Sequence, residues 1–172
     1  RFLGSEPGDV VGALESGERA DVVLHDELCG EEVCHRVRAV NHDCYNYDAM
    51  DYYGRKSRGT EDWLNGLLKK HDRLITTGSV IYHYTVGYAG GRKSIMPGIA
   101  SLKTIQQSHI WALSPTVGKG TNHSTDNGLA IGNPAHDDMM EVAAFRSPDF
   151  IINTVPNFDG EVCAVFTGNW VS

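Results

Sequence analysis

Residues 82–93 read Tyr82-His83-Tyr84-Thr85-Val86-Gly87-Tyr88-Ala89-Gly90-Gly91-Arg92-Lys93, and they follow a strand-like run from Arg73 to Gly78. Glycines in such a stretch allow positive φ angles and a close approach of the backbone to a ligand. A backbone bent in this way can direct N–H groups at an anion, and the guanidinium and ammonium that follow suit phosphate or carboxylate. Because ligands bind beyond the carboxyl ends of strands in open α/β sheets, the stretch predicts a ligand site at that edge.

Strand-like and helix-like segments alternate on both sides of this stretch. The strand-like segments are Asp9 to Ala13, Val37 to Val40, Arg73 to Gly78, Phe150 to Val155 and Glu161 to Phe166. The helix-like segments are Ala20 to Cys29, Leu64 to His71, a helix capped by Ser101 that runs to about Leu113, and a helix capped by Asn133. Residues 44–58 and 116–128 show no clear period and predict loops. This order predicts an α/β domain with a mostly parallel sheet and flanking helices, Rossmann-like in architecture.

Length and composition limit the classes of function. The 172 residues predict one domain, residues 1–172, with 41% hydrophobic residues and a formal net charge of −7. Nucleic acids and anionic membranes attract basic surfaces, so neither is expected as a partner. No apolar run approaches the ~20 residues of a spanning helix, and the first residues show no signal-peptide pattern, so we expect a cytoplasmic protein.

The residues that could carry chemistry leave several interpretations open. A neutral imidazole at His83 or His109 could serve as a general base or as a ligand for nickel or zinc. Lys93, beside an anion pocket, could be a nucleophile that forms an imine or an amide with a cofactor. Alternatively, Gly90 to Lys93, which matches neither a P-loop nor a dinucleotide fingerprint, could be a solvated turn, and His109 a hydrogen-bonded core residue. From the residues alone, a phosphate-bearing ligand at this turn is the favoured interpretation.

A longer set of motifs is more specific. It comprises Thr77-Gly78-Ser79-Val80-Ile81-Tyr82-His83-Tyr84, Gly87-Tyr88-Ala89-Gly90-Gly91-Arg92-Lys93-Ser94-Ile95-Met96-Pro97-Gly98-Ile99-Ala100, Thr104-Ile105 with His109, Val40-Asn41-His42-Asp43, Gly132-Asn133-Pro134-Ala135-His136-Asp137-Asp138-Met139 and Phe150-Ile151-Ile152-Asn153. Together these motifs resemble the nickel-dependent lactate racemase family. The resemblance covers most of the chain, from about Gly30 to Gly168.

The resemblance implies a cofactor and a set of roles. The cofactor is the nickel-pincer nucleotide, pyridinium-3,5-bisthiocarboxylic acid mononucleotide nickel. In this family the lysine at Lys93 can bond covalently to the cofactor, the histidine at His109 completes the nickel coordination, and the histidine at His83 is one of two acid/base groups. The further residues expected to bind the cofactor are Tyr88, Gly90, Gly91 and Arg92. The implied reaction is racemisation or epimerisation of 2-hydroxy acids such as lactate, by proton-coupled hydride transfer to the cofactor.

Two departures from the family pattern leave alternatives open. The family's other acid/base histidine falls on Gly17 when the sequence is aligned back from Gly30, so Glu18 or His25 could supply another base. Family members are also considerably longer, and the chain is therefore expected to be the cofactor-binding part of a larger two-domain protein. The alternatives are a non-catalytic module that binds the nickel-pincer nucleotide, a homologue that acts on a different hydroxy or sugar acid, and a phosphate-ligand enzyme without metal.

Overall fold

The computed structural model describes residues 9–12 and 31–171, and within them the chain is an α/β protein. The strands are β1 Asp9–Gly12, β2 Arg38–Asn41, β3 Met50–Arg55, β4 Glu61–Asn65, β5 Ile75–Ser79, β6 Tyr82–His83, β7 Gly87–Tyr88, β8 Phe150–Pro156 and β9 Val162–Gly168. The α-helices are α1 Glu31–Cys34, α2 Leu67–Lys70, α3 Leu102–His109 and α4 Pro134–Phe145, and 3₁₀ turns span Tyr47–Ala49, Gly91–Ser94 and Ile110–Ala112. The predicted helix Ala20 to Cys29 lies outside the described residues.

The described strands form small sheets of mixed direction. β1 pairs in parallel with β2, β3 pairs antiparallel with β4, and β6 pairs antiparallel with β7. β8 is the centre of a three-stranded sheet, parallel to β5 and antiparallel to β9. This last sheet positions the candidate site, because the glycine-rich turn that follows β5 packs against β5 and β8.

The prediction of a mostly parallel, Rossmann-like sheet is not confirmed, since three of the five described pairings are antiparallel. β8 and β9 form a hairpin, because Asn157 Oδ1 accepts hydrogen bonds from Asp159 N at 3.0 Å and Glu161 N at 2.9 Å in the turn between them. A connection this short cannot supply the crossover that parallel neighbours need.

The prediction of a surface loop over residues 44–58 is wrong, because β3 and the 3₁₀ turn Tyr47–Ala49 together occupy nine of its fifteen residues. Its Tyr52 packs on Trp63 of β4, with ring centroids 5.2 Å apart. A bulge between Tyr52 and Gly54 breaks the two-residue alternation by which a strand is usually identified. The predicted helix from Leu64 to His71 is shortened to α2, because the residues before it pair in β4.

Helices α3 and α4 begin where the sequence predicts. Ser101 Oγ accepts a hydrogen bond from Thr104 N at 3.2 Å, and Asn133 Oδ1 accepts one from Ala135 N at 3.0 Å. Each cap satisfies backbone N–H groups that a helix end leaves without intrahelical partners. Phe145, the last residue of α4, is 40% exposed.

The hydrophobic core joins α4 to the segment that follows the glycine-rich turn. Its largest fully buried apolar side chains are Leu64, Val86, Ile95, Met96, Met139 and Val142. Burial of each such side chain stabilises the fold by about 1.5–3 kcal/mol, so the core holds the turn and α4 in a fixed relation. No helix of residues 9–12 and 31–171 has the length and apolar character to cross a membrane.

Candidate functional site

The glycine-rich turn lies against the strands of the three-stranded sheet, as predicted. Gly91 N donates to Asn153 Oδ1 of β8 at 3.2 Å, and Ser94 Oγ donates to Thr77 O of β5 at 2.8 Å. These bonds attach both ends of the 3₁₀ turn Gly91–Ser94 to neighbouring parallel strands. The sequence resemblance gives Asn153 no role, although a buried asparagine within an apolar strand is itself unusual.

Gly90 allows this close approach. Its φ is 79°, and a Cβ at this position would lie 3.2 Å from Ser79 O at the end of β5. A side chain would therefore be strained by both conformation and contact. The residue is required by the path of the turn, whatever ligand the turn binds.

Arg92 is a buried cation beneath the β6–β7 hairpin. Its side chain donates from Nη2 to Val86 O at 2.9 Å and to Tyr88 O at 3.0 Å. Its Nε has no partner in the described part of the chain. Burial lowers the pKa of Arg92 to about 10, and no described carboxylate offsets that burial. A buried guanidinium without a counter-ion favours an anion in its neighbourhood.

His136, on the first turn of α4, belongs to the same electrostatic environment. Burial and then the neighbouring charge of Arg92 lower the pKa of His136, and its Nδ1 is buried with no partner among the described residues. The ring is therefore held neutral next to the guanidinium. The sequence pattern alone did not predict His136 as a site residue.

His83 lies in β6, and its ring folds over the turn that follows. Its Nδ1 accepts hydrogen bonds from Thr85 N at 3.3 Å and from Val86 N at 3.4 Å. The ring also stacks on Tyr84, with centroids 4.7 Å apart and planes 18° apart. Because backbone N–H groups only donate, Nδ1 is the acceptor nitrogen of this ring.

Asn133 has a second function besides its helix cap. Its amide nitrogen donates to Thr85 O at 2.9 Å and to Leu129 O at 2.8 Å, and its side chain is fully buried. The cap was predictable from the sequence position, whereas the bond to Thr85 O reaches a loop 48 residues earlier in the chain. One buried amide thus connects α4 with the loop of His83.

His109 lies at the exposed end of α3. Its Nδ1 is 2.8 Å from Ile105 O, one turn earlier in the same helix. A carbonyl only accepts, so Nδ1 carries the hydrogen and the neutral ring has its lone pair on Nε2. A backbone carbonyl bonded in this way to the second nitrogen is the usual way in which proteins orient a metal-ligating histidine.

The described residues supply no complete metal site of their own. Within residues 9–12 and 31–171, no group of three or more His, Cys, Asp or Glu side chains could hold a metal ion. A metal bound at His109 would therefore take its remaining ligands from a cofactor or from elsewhere in the protein.

Lys93 lies on the 3₁₀ turn Gly91–Ser94, and Tyr88 lies in β7. Lys93 is partly buried on the 3₁₀ turn, where its N–H donates to Gly90 O at 3.1 Å. Tyr88 is 36% exposed in β7 and stacks on Tyr82 of β6, with centroids 5.5 Å apart. Arg92 joins these elements, because it lies on the turn and bonds to the hairpin.

The structure thus places Gly90, Gly91, Arg92 and Lys93 on one turn, with His83 and Tyr88 on the adjacent hairpin. His109 lies on α3, and α4 packs against both the turn Gly91–Ser94 and the turn Ile110–Ala112 that follows His109. The joint binding of one ligand by Lys93 and His109 stays a prediction.

A buried ion cluster that the sequence did not predict connects α4 with β4 and the loop before it. Lys56 Nζ contacts Asp138 Oδ2 at 2.6 Å and Asp62 Oδ1 at 3.6 Å, and the three side chains are fully buried. Burial raises the pKa of Asp62 to about 7, and the charge of Lys56 opposes the rise only in part. The oxygens of Asp62 accept no hydrogen bond from the described residues. Nothing in their local sequence pattern marks these residues as partners.

The motif Asn41-His42-Asp43 has a structural explanation. His42 Nε2 donates to Ala100 O at 2.9 Å, and its Nδ1 accepts from Asn65 Nδ2 at 3.2 Å. Burial lowers the pKa of His42, so its ring is held in the neutral form that satisfies both bonds. Asp43 Oδ1 accepts from Tyr45 N at 3.0 Å, which is an Asx turn.

Comparison with known proteins gives a consistent result. The family described as lactate racemase N-terminal domain matches residues 13–120. The lactate racemase of Thermoanaerobacterium thermosaccharolyticum is 31% identical over 140 residues, which are 81% of this chain and 32% of the relative. The lactate racemase of Lactiplantibacillus plantarum is 32% identical over 149 residues, which are 84% of this chain and 34% of the relative. The chain therefore spans about a third of the length of these two relatives.

Solved structures show the same likeness. The structure of the lactate racemase apoprotein from Thermoanaerobacterium thermosaccharolyticum has a TM-score of 0.82 and 27% sequence identity, over 94% of this chain and 37% of that one. A Thermotoga maritima protein has a TM-score of 0.74 over 94% of this chain and 42% of its own length. At 20% identity, the second match supports the fold alone.

Proposed function

The chain belongs to the lactate racemase N-terminal domain family, and from this premise we propose that it is the cofactor-binding part of a racemase or epimerase of 2-hydroxy acids. Two relatives that it matches over most of its length are named lactate racemases. Lactate and similar hydroxy acids are the proposed substrates, and the nickel-pincer nucleotide is the proposed cofactor.

The observation that carries the proposal is the orientation of the His109 ring. Its Nδ1 hydrogen bond to Ile105 O leaves the lone pair on Nε2, which is the form in which a neutral imidazole binds a borderline metal such as nickel. A histidine with a purely structural role would instead be hydrogen-bonded at both nitrogens, as the half-buried His42 is. The exposed position of His109 favours a ligand over a core residue.

The glycine-rich turn fits an anionic nucleotide. Gly90 brings the backbone against β5, and Arg92 places a buried, uncompensated positive charge beneath the hairpin. In this proposal Gly90, Gly91 and Arg92 bind the phosphate side of the cofactor, Tyr88 contacts it, and Lys93 bonds to it covalently. An amide or imine bond at Lys93 would attach the cofactor to the turn, so the turn would hold the cofactor in a fixed position relative to His109.

His83 is the proposed proton-transfer group for the substrate hydroxyl. Its ring is positioned by the backbone of the hairpin and by Tyr84. When bound, the cofactor supplies the acceptor for the α-hydrogen of the hydroxy acid. The chain's own residues would bind and orient the acid and exchange the hydroxyl proton at His83.

To test this proposal, the chain is produced in a host that makes the cofactor and is supplied with nickel. Intact-mass spectrometry and elemental analysis of one sample then report both the adduct and the metal. We expect wild type to carry both, Lys93→Ala to lose the covalent adduct, and Lys119→Ala, at an exposed loop lysine, to keep it. Wild type without an adduct or nickel would count against the cofactor.

The metal ligand is tested in the same preparation. We expect His109→Ala to keep the covalent adduct but lose most of its nickel, whereas His123→Ala, at an exposed loop histidine, should retain the metal. Unchanged nickel in the His109 variant would remove this residue from the set of ligands.

A second function, favoured by Gly17 at the position of the family's other acid/base histidine, is a non-catalytic module that binds the nickel-pincer nucleotide. The two functions differ in one measurement. A loaded racemase changes the optical rotation of a solution of one lactate enantiomer, whereas a loaded binding module leaves it constant.

A further inference from the structure

We propose that Asn133 and Arg92 are positioning residues that fix the tautomer of His83, so that its neutral ring carries the hydrogen on Nε2. The inference rests on the proposed function only for the chemical duty of His83. The tautomer itself is a property of the chain without cofactor.

Asn133 orients one of the peptide groups that face the ring. Its Nδ2 donates to Thr85 O at 2.9 Å. In a trans peptide the carbonyl and the following N–H point in opposite directions, so this bond turns Val86 N–H away from Asn133. Val86 N is the donor 3.4 Å from Nδ1 of His83. The amide on α4 therefore acts on the imidazole through a single planar peptide.

Arg92 fixes the next peptide groups of the same loop. Its Nη2 donates to both Val86 O and Tyr88 O, so the backbone cannot rotate at residue 86 without breaking a charge-assisted bond. Its side chain is 6% exposed, and that of Asn133 is fully buried. Water is therefore poorly placed to replace either donor.

Gly87 brings the loop into contact with the segment before α4. Its φ is 79°, and Gly128 N donates to its carbonyl at 2.9 Å. Leu129 O, which accepts from Asn133, would lie 2.5 Å from a Cβ at position 87. The loop therefore contacts residues 128–129 through Gly87 and contacts Arg92 through the carbonyls of Val86 and Tyr88.

The consequence for His83 follows from hydrogen-bond polarity. A lone pair on Nδ1 accepts from the N–H groups of Thr85 and Val86 and from Thr85 Oγ1 at 3.4 Å, whereas a hydrogen there would face both N–H groups and, of these three partners, could bond only to the hydroxyl. The neutral ring is therefore held with its hydrogen on Nε2. In this form it offers a hydrogen bond to the oxygen of a hydroxy or keto acid, as neutral histidines do when they polarise a carbonyl. Uptake of a hydroxyl proton at Nε2 would first require the other tautomer.

The experiment uses the cofactor-free chain labelled with ¹⁵N in its histidines. Long-range ¹H–¹⁵N correlation, at a pH where the ring is neutral, distinguishes a protonated ring nitrogen from one with a lone pair. We expect His83 of wild type to be protonated at Nε2. Asn133→Ser and Asn133→Asp keep a good helix cap but lose both amide donors. In either variant, we expect the ratio of the two tautomers to fall by about fivefold.

Asn46→Asp is the matched control, because Asn46 is exposed and its side chain makes no cap hydrogen bond. In this variant the His83 signals should equal those of wild type. A wild-type ring protonated at Nδ1 would overturn the inference, whether or not the loaded protein racemises lactate. An unchanged ratio in Asn133→Ser, with α4 intact by circular dichroism, would remove Asn133 as a positioning residue. Should the Asn133 variants not fold, the tautomer ratio of His83 is measured in Arg92→Lys, since a lysine cannot reproduce the two bonds from Nη2 with the same geometry. A lower ratio would support the inference, and an unchanged ratio would overturn it.

Discussion

Arg92 and Arg55 both make polar contacts, but only Arg92 makes them away from water. Arg55 pairs with Glu61 at 2.7 Å and is 62% exposed, whereas Arg92 bonds to two carbonyls from a buried position. Hydrogen bonds to buried charges are stronger than surface ion pairs. We expect Arg92→Met to lower the free energy of unfolding by about 2–3 kcal/mol, and Arg55→Met to lower it by much less. Urea unfolding measures both, and equal losses would contradict this account.

Asp62 predicts a dependence of stability on pH. Its pKa is about 7 in the folded chain, above the ordinary value of 3.8, because burial disfavours the carboxylate. The folded state therefore binds this proton more tightly than the unfolded state. The resulting stability is fully present below about pH 4 and is lost as the pH rises through about 7.

The Asp62 contribution to this loss should be on the order of 2–4 kcal/mol. We expect Asp62→Asn, which stays neutral, to remove it, so that the difference in unfolding free energy between variant and wild type changes across this range. Urea unfolding at several pH values measures the difference. A difference that stays constant from pH 4 to pH 7.5 would show that Asp62 does not titrate there.

The loop of His83 and the loop before α4 meet at Gly87. A Cβ at this position would lie 2.5 Å from the backbone oxygen of Leu129, whereas one at Gly118 would meet nothing within 4 Å. The two glycines have nearly equal φ angles, 79° and 81°, so alanine should cause the same conformational strain at both. Any additional effect at Gly87 then reports the contact between the loops.

We expect Gly87→Ala to destabilise the chain by about 2 kcal/mol more than Gly118→Ala, because a backbone atom cannot yield as a side-chain end can. We also expect faster hydrogen exchange at Gly128 N–H, which donates to Gly87 O. Equal stability and equal exchange in the two variants would show that the loops are not coupled.

The elements that the sequence predicted well are those with local signals. Caps at Ser101 and Asn133 located the starts of α3 and α4, and the apolar runs located β5 and β8. The β3–β4 hairpin lacked such a signal. It contains a bulge at Gly54 and buries Lys56, Asp62 and the side chain of Asn65. Charged residues enter the interior only when paired, and their partners are set by the tertiary fold.

The candidate site was predictable in position but not in its internal contacts. The glycines placed the turn at the edge of β5, as found. The bonds of Gly91 to Asn153 and of Asn133 to Thr85 join residues 62 and 48 positions apart. No spacing rule links such residues, because their proximity depends on how the parallel pair β5–β8 and helix α4 pack.

Over the whole chain, the α/β class followed from the alternation of elements, whereas strand direction did not. Direction depends on the connection, and the short turn after β8 reverses the chain where a helical crossover would have kept β9 parallel. In the sheet of β5, β8 and β9, several apolar side chains are exposed, namely those of Ile75, Phe150, Ile152 and Val165. The alternation of elements therefore did not predict which face of this sheet is covered.

A substitution at Gly17 tests whether the cofactor-loaded chain acts as a racemase. The position lies outside the described residues, and the resemblance to the racemase family predicts a histidine there. A positioned acid/base group contributes about 10²–10⁴-fold to a rate. If racemisation by the loaded chain is limited by this missing group, Gly17→His should change the optical rotation of a single lactate enantiomer at least about tenfold faster than wild type.

Gly17→Ala is the matched control, and it should behave as wild type, because it adds a side chain without an ionisable group. His83→Ala in the Gly17→His background should return the rate to that of the background solution. A loaded wild type that already racemises rapidly, with no gain from the histidine, would show that another residue supplies the base. Constant rotation in every nickel-loaded variant would instead favour the binding module, because cofactor and metal would then be present without turnover.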